Sequence, residues 1–169
     1  MLSGLRAIVS LVLFTSILET SSALPPLTAG TRQTAPTTVL FMCPHGAAKS
    51  VLASAYFQRL AKERGLNVRV ESAGIEPDAA VSPNVAEHLR HNGYPVPMTK
   101  PRAVTKEDLT RADVVISLGC ELGRLPASPR SLQQWDEVPG PGENFAGADE
   151  AIRRRVNALV EELIAQQQK

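Results

Sequence analysis

No sign of charge predominates in this chain. Eighteen Lys and Arg stand against seventeen Asp and Glu, a formal net charge of +1, so nothing in the balance favours nucleic acid as a partner. Metal-ligating residues are also scarce, with three histidines and two cysteines in 169 residues. His88 and His91 fall at three-residue spacing on one predicted helix with no cysteine or carboxylate set beside them, the pattern of two surface histidines. No metal is assigned, and no cofactor is expected. There is no internal repeat and no second domain, and the length suits one domain with a single sizeable core.

A long apolar run is missing too. Ala7 to Leu18 is apolar, Arg6 precedes it, and the small residues Ser21-Ser22-Ala23 follow. This is the three-part pattern of a secretory signal and is too short for a comfortable membrane span. The expectation is a signal peptide at 1–23, an extended Pro- and Thr-rich lead-in at 24–36, and a folded domain at 37–169. The mature protein would be exported, periplasmic or secreted, with no stable membrane span after cleavage.

What the chain does have is concentrated in residues 39 to 50, Val-Leu-Phe-Met-Cys43-Pro-His-Gly-Ala-Ala-Lys49-Ser50. An apolar, β-branched run ends in a cysteine, a loop of small residues follows, and a helical pattern begins at Ser50. Unpaired N–H groups of a first helical turn would point into such a loop, and the helix dipole adds positive potential there. A thiol in that field is favoured as thiolate. The alternative is a structural cysteine buried at a strand end.

The rest alternates between strand and helix patterns. Thr38 to Met42 predicts a buried parallel strand. Leu52, Ala55, Tyr56 and Leu60 recur at helical spacing, with Gly65 as the stop. Asn67 to Glu71 predicts a second strand. Ser82 and Pro83 open a helix that Asn92-Gly93 ends, with Val85 and Leu89 on one face. Thr105 and Asp108 have the spacing of a capping box. Val114 to Leu118 predicts a third strand. A last amphipathic helix carries Ile152, Val156, Leu159, Val160 and Leu163 on one face, and its Arg153 to Arg155 run reads as a solvated face. Together these predict an α/β fold: a single open parallel sheet of about four strands with helices on both faces. Ligands of such sheets bind beyond the carboxyl ends of the strands, which is where Cys43 and Cys120 fall.

The Cys43 to Ser50 loop resembles the phosphate-binding loop of the low-molecular-weight protein tyrosine phosphatases and the related thioredoxin-coupled arsenate reductases. Further matches follow in order: Ser72-Ala73-Gly74-Ile75-Glu76-Pro77, Ser82-Pro83-Asn84-Val85-Ala86, Lys100 to Thr105, Asp113 to Cys120, and Trp135 to Pro141. Separated matches in the right order are far more specific than one short motif. The resemblance also supplies a weak fourth strand at Leu132 to Trp135. It implies that Pro44, His45, Gly46, Ala47, Ala48, Lys49 and Ser50 bind an oxyanion, and that the partner is phosphate, arsenate or a phosphorylated substrate.

The sequence departs from that family in three places, the first being Gly46 where the family usually has an asparagine. Lys49 stands where the family has an arginine, keeping the charge but losing the planar, two-pronged contact. Lost transition-state hydrogen bonds of this kind cost on the order of 2–4 kcal/mol, roughly 10²–10³ in rate. Gly140 stands where the family's proton-donating aspartate would be; Asp136, Glu137 and Glu143 are the neighbouring carboxylates, with Asp136 and Glu137 the candidate general acids. Any phosphatase activity should therefore favour activated esters. In the reductase branch Cys120 resembles the second cysteine, but there is no third, so the full thiol relay is excluded. A shorter cycle would need an external thiol reductant acting on a Cys43–Cys120 bond, and the same bond could form in an oxidising compartment. The implied function is a cysteine-dependent phosphatase-like or arsenate reductase-like enzyme, catalytic through Cys43, Lys49 and Cys120 and weakened by its departures. The alternative is a non-catalytic oxyanion- or phosphoprotein-binding module on the same fold.

Overall fold

A computed structural model describes residues 35–97 and 100–167. The expected signal segment 1–23 and nearly all of the lead-in 24–36 lie outside the described residues. The order is β1 (Thr37–Cys43), α1 (Lys49–Glu63), β2 (Val68–Gly74), α2 (Pro83–His91), α3 (Lys106–Arg111), β3 (Val114–Ser117), a 3₁₀ turn at Leu122–Arg124, β4 (Leu132–Gln134) and α4 (Phe145–Gln167). The four strands form one parallel sheet in the order β2-β1-β3-β4.

β1 is central and buried at six of its seven positions, which is why its sequence is a near-continuous apolar run and not an alternating one. Its side chains still part by face. Val39, Phe41 and Cys43 join the cluster with Val51, Leu52, Val85 and Ile152 from α1, α2 and α4. Leu40 and Met42 join Leu109 of α3 and Cys120 on the other face. Helices therefore cover both faces, as expected. Full burial of side chains such as Phe41 and Ile152 is worth roughly 1.5–3 kcal/mol each.

Local signals mark the element ends. Gly65 and Gly93 take φ of 69° and 68° after α1 and α2, the left-handed conformation in which glycine carries no Cβ penalty. Thr105 and Asp108 form the reciprocal capping box of α3. Ser82 differs: it precedes α2, but its side chain makes no capping bond, and it works through its backbone, its N–H donating to Ala47 O at 2.9 Å and its carbonyl accepting from Ala86 N–H at 3.0 Å. The arginine run is a second departure. The Arg153 guanidinium lies over the ring of Tyr56 at 4.1 Å and donates to Asp149 and to Tyr94 Oη, while Arg155 pairs with Glu137. Arg153 is thus a packing residue. Among the described residues no helix is long and apolar enough to cross a membrane.

Candidate functional site

The sheet order places a switch point between β1 and β3, since the chain leaves β1 for β2 on one side and later returns to β3 on the other. Cys43 ends β1 and Cys120 follows β3, so both emerge beside that crevice. Cys43 is 3% exposed, and its Sγ lies 3.2 Å from Ser50 Oγ, where thiol donates to hydroxyl. A thiolate at the same place would accept from that hydroxyl.

The loop between Cys43 and α1 is held by its carbonyls. Pro44 O accepts from Glu76 N–H, His45 O from Asp78 N–H, and Ala47 O from Ser82 N–H, all at 2.9–3.0 Å. The β2–α2 connection thus ties the carbonyls down. None of the backbone N–H groups of residues 45–48 donates to a backbone carbonyl among the described residues. A row of unspent donors leading into a helix N-terminus over a cysteine is an anion cradle.

Two glycines make the loop possible. Gly46 has φ of 62°, and a Cβ there would stand 2.8 Å from Gly74 N. A Cβ on Gly74 would stand 2.5 Å from Gly46 N and 2.7 Å from His45 C. The loop backbone therefore rests directly on the end of β2, where Cys43 and Gly74 are register partners. This accounts for the Ser-Ala-Gly segment in physical terms, and for a glycine at position 46.

Lys49 does not extend into solvent. Its Nζ donates to Val138 O at 3.3 Å, and a Cβ on Gly119 would lie 3.0 Å from that Nζ. The ammonium thus crosses from the start of α1 to the loops after β3 and β4. Cys120 is buried beside it as a free thiol, as is Cys43. The Cys120 thiol is pushed up to about 11, chiefly by burial, with the Cys43 and Asp136 charges adding to the rise and the Ser117 hydrogen bond and Lys49 opposing it. At neutral pH Cys120 is a protonated thiol.

The candidate acids separate. Asp136 is exposed, accepts from Gln134 Nε2 at 3.1 Å and is felt by Cys120. Glu137 is clasped by Arg155, whose hydrogen bond holds its carboxyl below the usual range and makes it a poor proton donor. Glu143 lies over Gly140: a Cβ on that glycine would meet its carboxyl carbon at 3.8 Å. His45 is exposed and faces Asp78 at 3.4 Å. No group of three or more His, Cys, Asp or Glu that could hold a metal ion occurs among the described residues.

The sequence model of the low-molecular-weight phosphotyrosine protein phosphatases matches residues 38–169. The chain belongs to that family. Among sequence relatives of this phosphatase-family chain is a candidate arsenate reductase of Halobacterium salinarum, 28% identical over 127 residues, 72% of this chain and 89% of the relative. Among solved structures, the thioredoxin-dependent arsenate reductase of Corynebacterium glutamicum superposes with a TM-score of 0.69 at 27% identity, over 79% of this chain. The phosphatase-family chain spans only 65% of that reductase. A low-molecular-weight phosphotyrosine phosphatase of Vibrio cholerae shares the fold, with a TM-score of 0.67 at 23% identity, over 77% of this chain and 98% of its own.

Residues outside the cradle escaped the sequence reading. His88, read as a surface residue, is half-buried: its Nε2 lies 2.9 Å from Tyr56 Oη, which also donates to Asp149. The signal that could have found it is Asp149 lying four residues before Arg153 on one helix face. Asn144, whose Oδ1 accepts from Gly147 N–H at 2.9 Å at the start of α4, was missed as well, although asparagine before a helical pattern is an ordinary start signal.

Proposed function

We propose that this protein is a cysteine-dependent enzyme acting on a phosphate-type oxyanion or ester, with Cys43 as nucleophile. The observation that carries the reading is the set of backbone N–H groups at 45–48, in the loop between Cys43 and α1, that donate to no backbone carbonyl among the described residues, while carbonyls of that loop are bonded to 76–82. Three non-bridging oxygens of a bound phosphoryl group need such donors, and the thiolate then lies below the phosphorus. Attack forms a phosphocysteine, which water hydrolyses. Ser50 Oγ, 3.2 Å from Sγ, can stabilise the thiolate as it is regenerated. Lys49 supplies positive charge beside the equatorial oxygens without the bidentate geometry of an arginine, so turnover is slow. Asp136 is the carboxylate available to meet the leaving group, since Glu137 is committed to Arg155.

Cys120 favours a second reading, thiol-coupled arsenate reduction. It is a buried free thiol at the same crevice as Cys43, where such a thiol would resolve an arseno-cysteine by forming a Cys43–Cys120 disulfide. The two thiols supply the two electrons that take arsenate to arsenite, and an external thiol must then reduce the bond. Export through residues 1–23 completes the proposal; a fractionation that finds only full-length chain in the cytosol would remove it.

The test is turnover of p-nitrophenyl phosphate by the full chain, with and without reductant, beside Cys43→Ser. Turnover that vanishes in Cys43→Ser supports the phosphatase, and dependence on reductant implicates the Cys120 bond. Absence of turnover in reduced protein sinks the phosphatase reading and leaves arsenate consumption as the assay.

A further inference from the structure

The four loops that ring the cradle offer no aromatic surface. They follow β1 (44–48), β2 (75–82), β3 (118–131) and β4 (135–144), and Trp135 is their one aromatic residue. Trp135 is 1% exposed and lies edge-on to Phe41, with centroids 5.9 Å apart, inside the core. The other aromatic side chains among the described residues are spent elsewhere. Phe41 and Phe57 are core, and Tyr56, Tyr94 and Phe145 pack with His88 and Arg153 between α1, α2 and α4. The side chains of these loops instead include two exposed ion pairs, His45 with Asp78 and Glu76 with Arg124, beside partly buried Ile75, Leu122 and Leu125. These loops offer no phenyl, phenol or indole face to an aryl ring, His45 being their one exposed planar ring, and recognition of an aryl group depends on apolar or aromatic walls.

The same rim is poor in usable protons. A phenol leaves as an anion whose conjugate acid has a pKa of about 10, and a carboxylate leaves as one of about 4. Expelling the first calls for a general acid; expelling the second does not. Glu76 and Glu137 are held ionised by hydrogen bonds from Arg124 and Arg155, position 140 has no side chain to donate, and Asp136 alone is left to meet the leaving group, exposed to water.

We propose that the preferred substrate class of this site is the acyl phosphate, a mixed carboxylic–phosphoric anhydride with a small non-aromatic acyl group. The inference rests on Cys43 being the nucleophile. Cys43 thiolate forms the S–P bond as the P–O bond to the acyl group breaks, and the carboxylate leaves with the electron pair, unprotonated. Water then attacks phosphorus, the S–P bond breaks, and the thiolate returns. Acyl phosphate and water give carboxylate and orthophosphate, with the protons of water on the phosphate. No oxidant or reductant takes part.

The experiment compares kcat/KM of the reduced full chain for acetyl phosphate, p-nitrophenyl phosphate and phosphotyrosine, each against Cys43→Ser. Acetyl phosphate should exceed p-nitrophenyl phosphate by about tenfold or more, with phosphotyrosine the slowest. Phenyl phosphate should inhibit no better than inorganic phosphate, within about threefold, because the ring gains nothing. Cys43-dependent turnover of the aryl esters equal to or above that of acetyl phosphate would overturn the acyl phosphate assignment and leave Cys43 as nucleophile. Tighter inhibition by phenyl phosphate would likewise overturn it. Turnover of none of the three above the Cys43→Ser background would sink the nucleophile itself, and the assignment with it.

Discussion

The N-terminus and the middle of α1 are built from different materials. Its N-terminus meets small residues, backbone N–H groups and one ammonium, and touches β2 through two glycines with no side chain between them. Its middle is dense with large groups that satisfy one another. There Tyr56 bonds to Asp149 and His88, Arg153 lies over Tyr56 and pairs with Asp149, and Arg59 lies over Tyr94 at 4.7 Å. The first region leaves backbone donors unspent, and the second spends its side chains on one another. A ligand site is made by leaving backbone groups unsatisfied, and the adjacent clasp of α1 to α2 and α4 keeps the helix that supplies them in place.

The comparison breaks most severely at Gly74. In Gly74→Ala the new methyl would stand 2.5 Å from Gly46 N, which is backbone and cannot turn aside as a side chain would. The loop must lift from β2, and the cradle moves with it. Misplacement of about 1 Å costs roughly 100-fold in rate, and the overpacking itself costs about 1–3 kcal/mol. Phosphate binding by calorimetry and a denaturant melt should both record the loss. An unchanged phosphate affinity would mean that the contact between the two glycines does not shape the cradle.

Lys49 comes next. Lys49→Met keeps much of the stem and removes the charge, and it should lower kcat/KM roughly 10- to 100-fold while the melting temperature stays within a few degrees. Lys49→Arg should move the other way if its guanidinium can fork onto two oxygens. A decrease in Lys49→Arg would show that Gly119 and Val138 crowd that position against the larger group.

Tyr56→Phe tests the other region. Loss of the hydroxyl leaves His88 and Asp149 short of a partner and should cost about 1–3 kcal/mol of stability, with kcat/KM within about twofold. Burial alone would raise Asp149, but the hydrogen bonds from Arg153 and Tyr56 outweigh it and hold its carboxyl below the usual range. A depressed carboxylate contributes stability that is present above the ordinary carboxylate pKa and lost as pH falls through the depressed one. Acid melts of Tyr56→Phe should therefore show a smaller acid-labile component than the parent. An equal component would assign the effect to Arg153 alone.

The sequence shows the first region well and the second poorly, for a physical reason. The strand, the thiol, the small-residue loop and the helix start at 43–50 are contiguous, so periodicity and residue type suffice. The Thr105–Asp108 box was legible for the same reason. The contact of Gly46 with Gly74, the reach of Lys49 to Val138 O, and the stack of Arg153 on Tyr56 join residues 28, 89 and 97 positions apart. No local pattern encodes such distances. Gly46 could be read only as a missing side chain, although its conformation and its closeness to Gly74 call for glycine. Arg153 was read as solvated because it stands in a run of three arginines, whereas the helix turns each member toward a different neighbour.

The smallest expected effects separate two helix starts that look alike in sequence. Ser82 and Thr105 each precede a helix and are both preferred capping types. Thr105 Oγ1 accepts from Asp108 N–H at 3.1 Å, and Asp108 returns a bond to Thr105 N–H at 2.9 Å. Ser82 makes no such bond and works through its backbone, which any residue supplies. Thr105→Ala should therefore cost about 1 kcal/mol and Ser82→Ala a few tenths at most, measured by urea melts of each single variant. The difference tests whether α2 is anchored to the cradle by its backbone bond to Ala47 and not by a cap. A Ser82→Ala loss as large as that of Thr105→Ala would place a side-chain contact at the start of α2, and the loop it supports would depend on serine chemistry as well as on chain path.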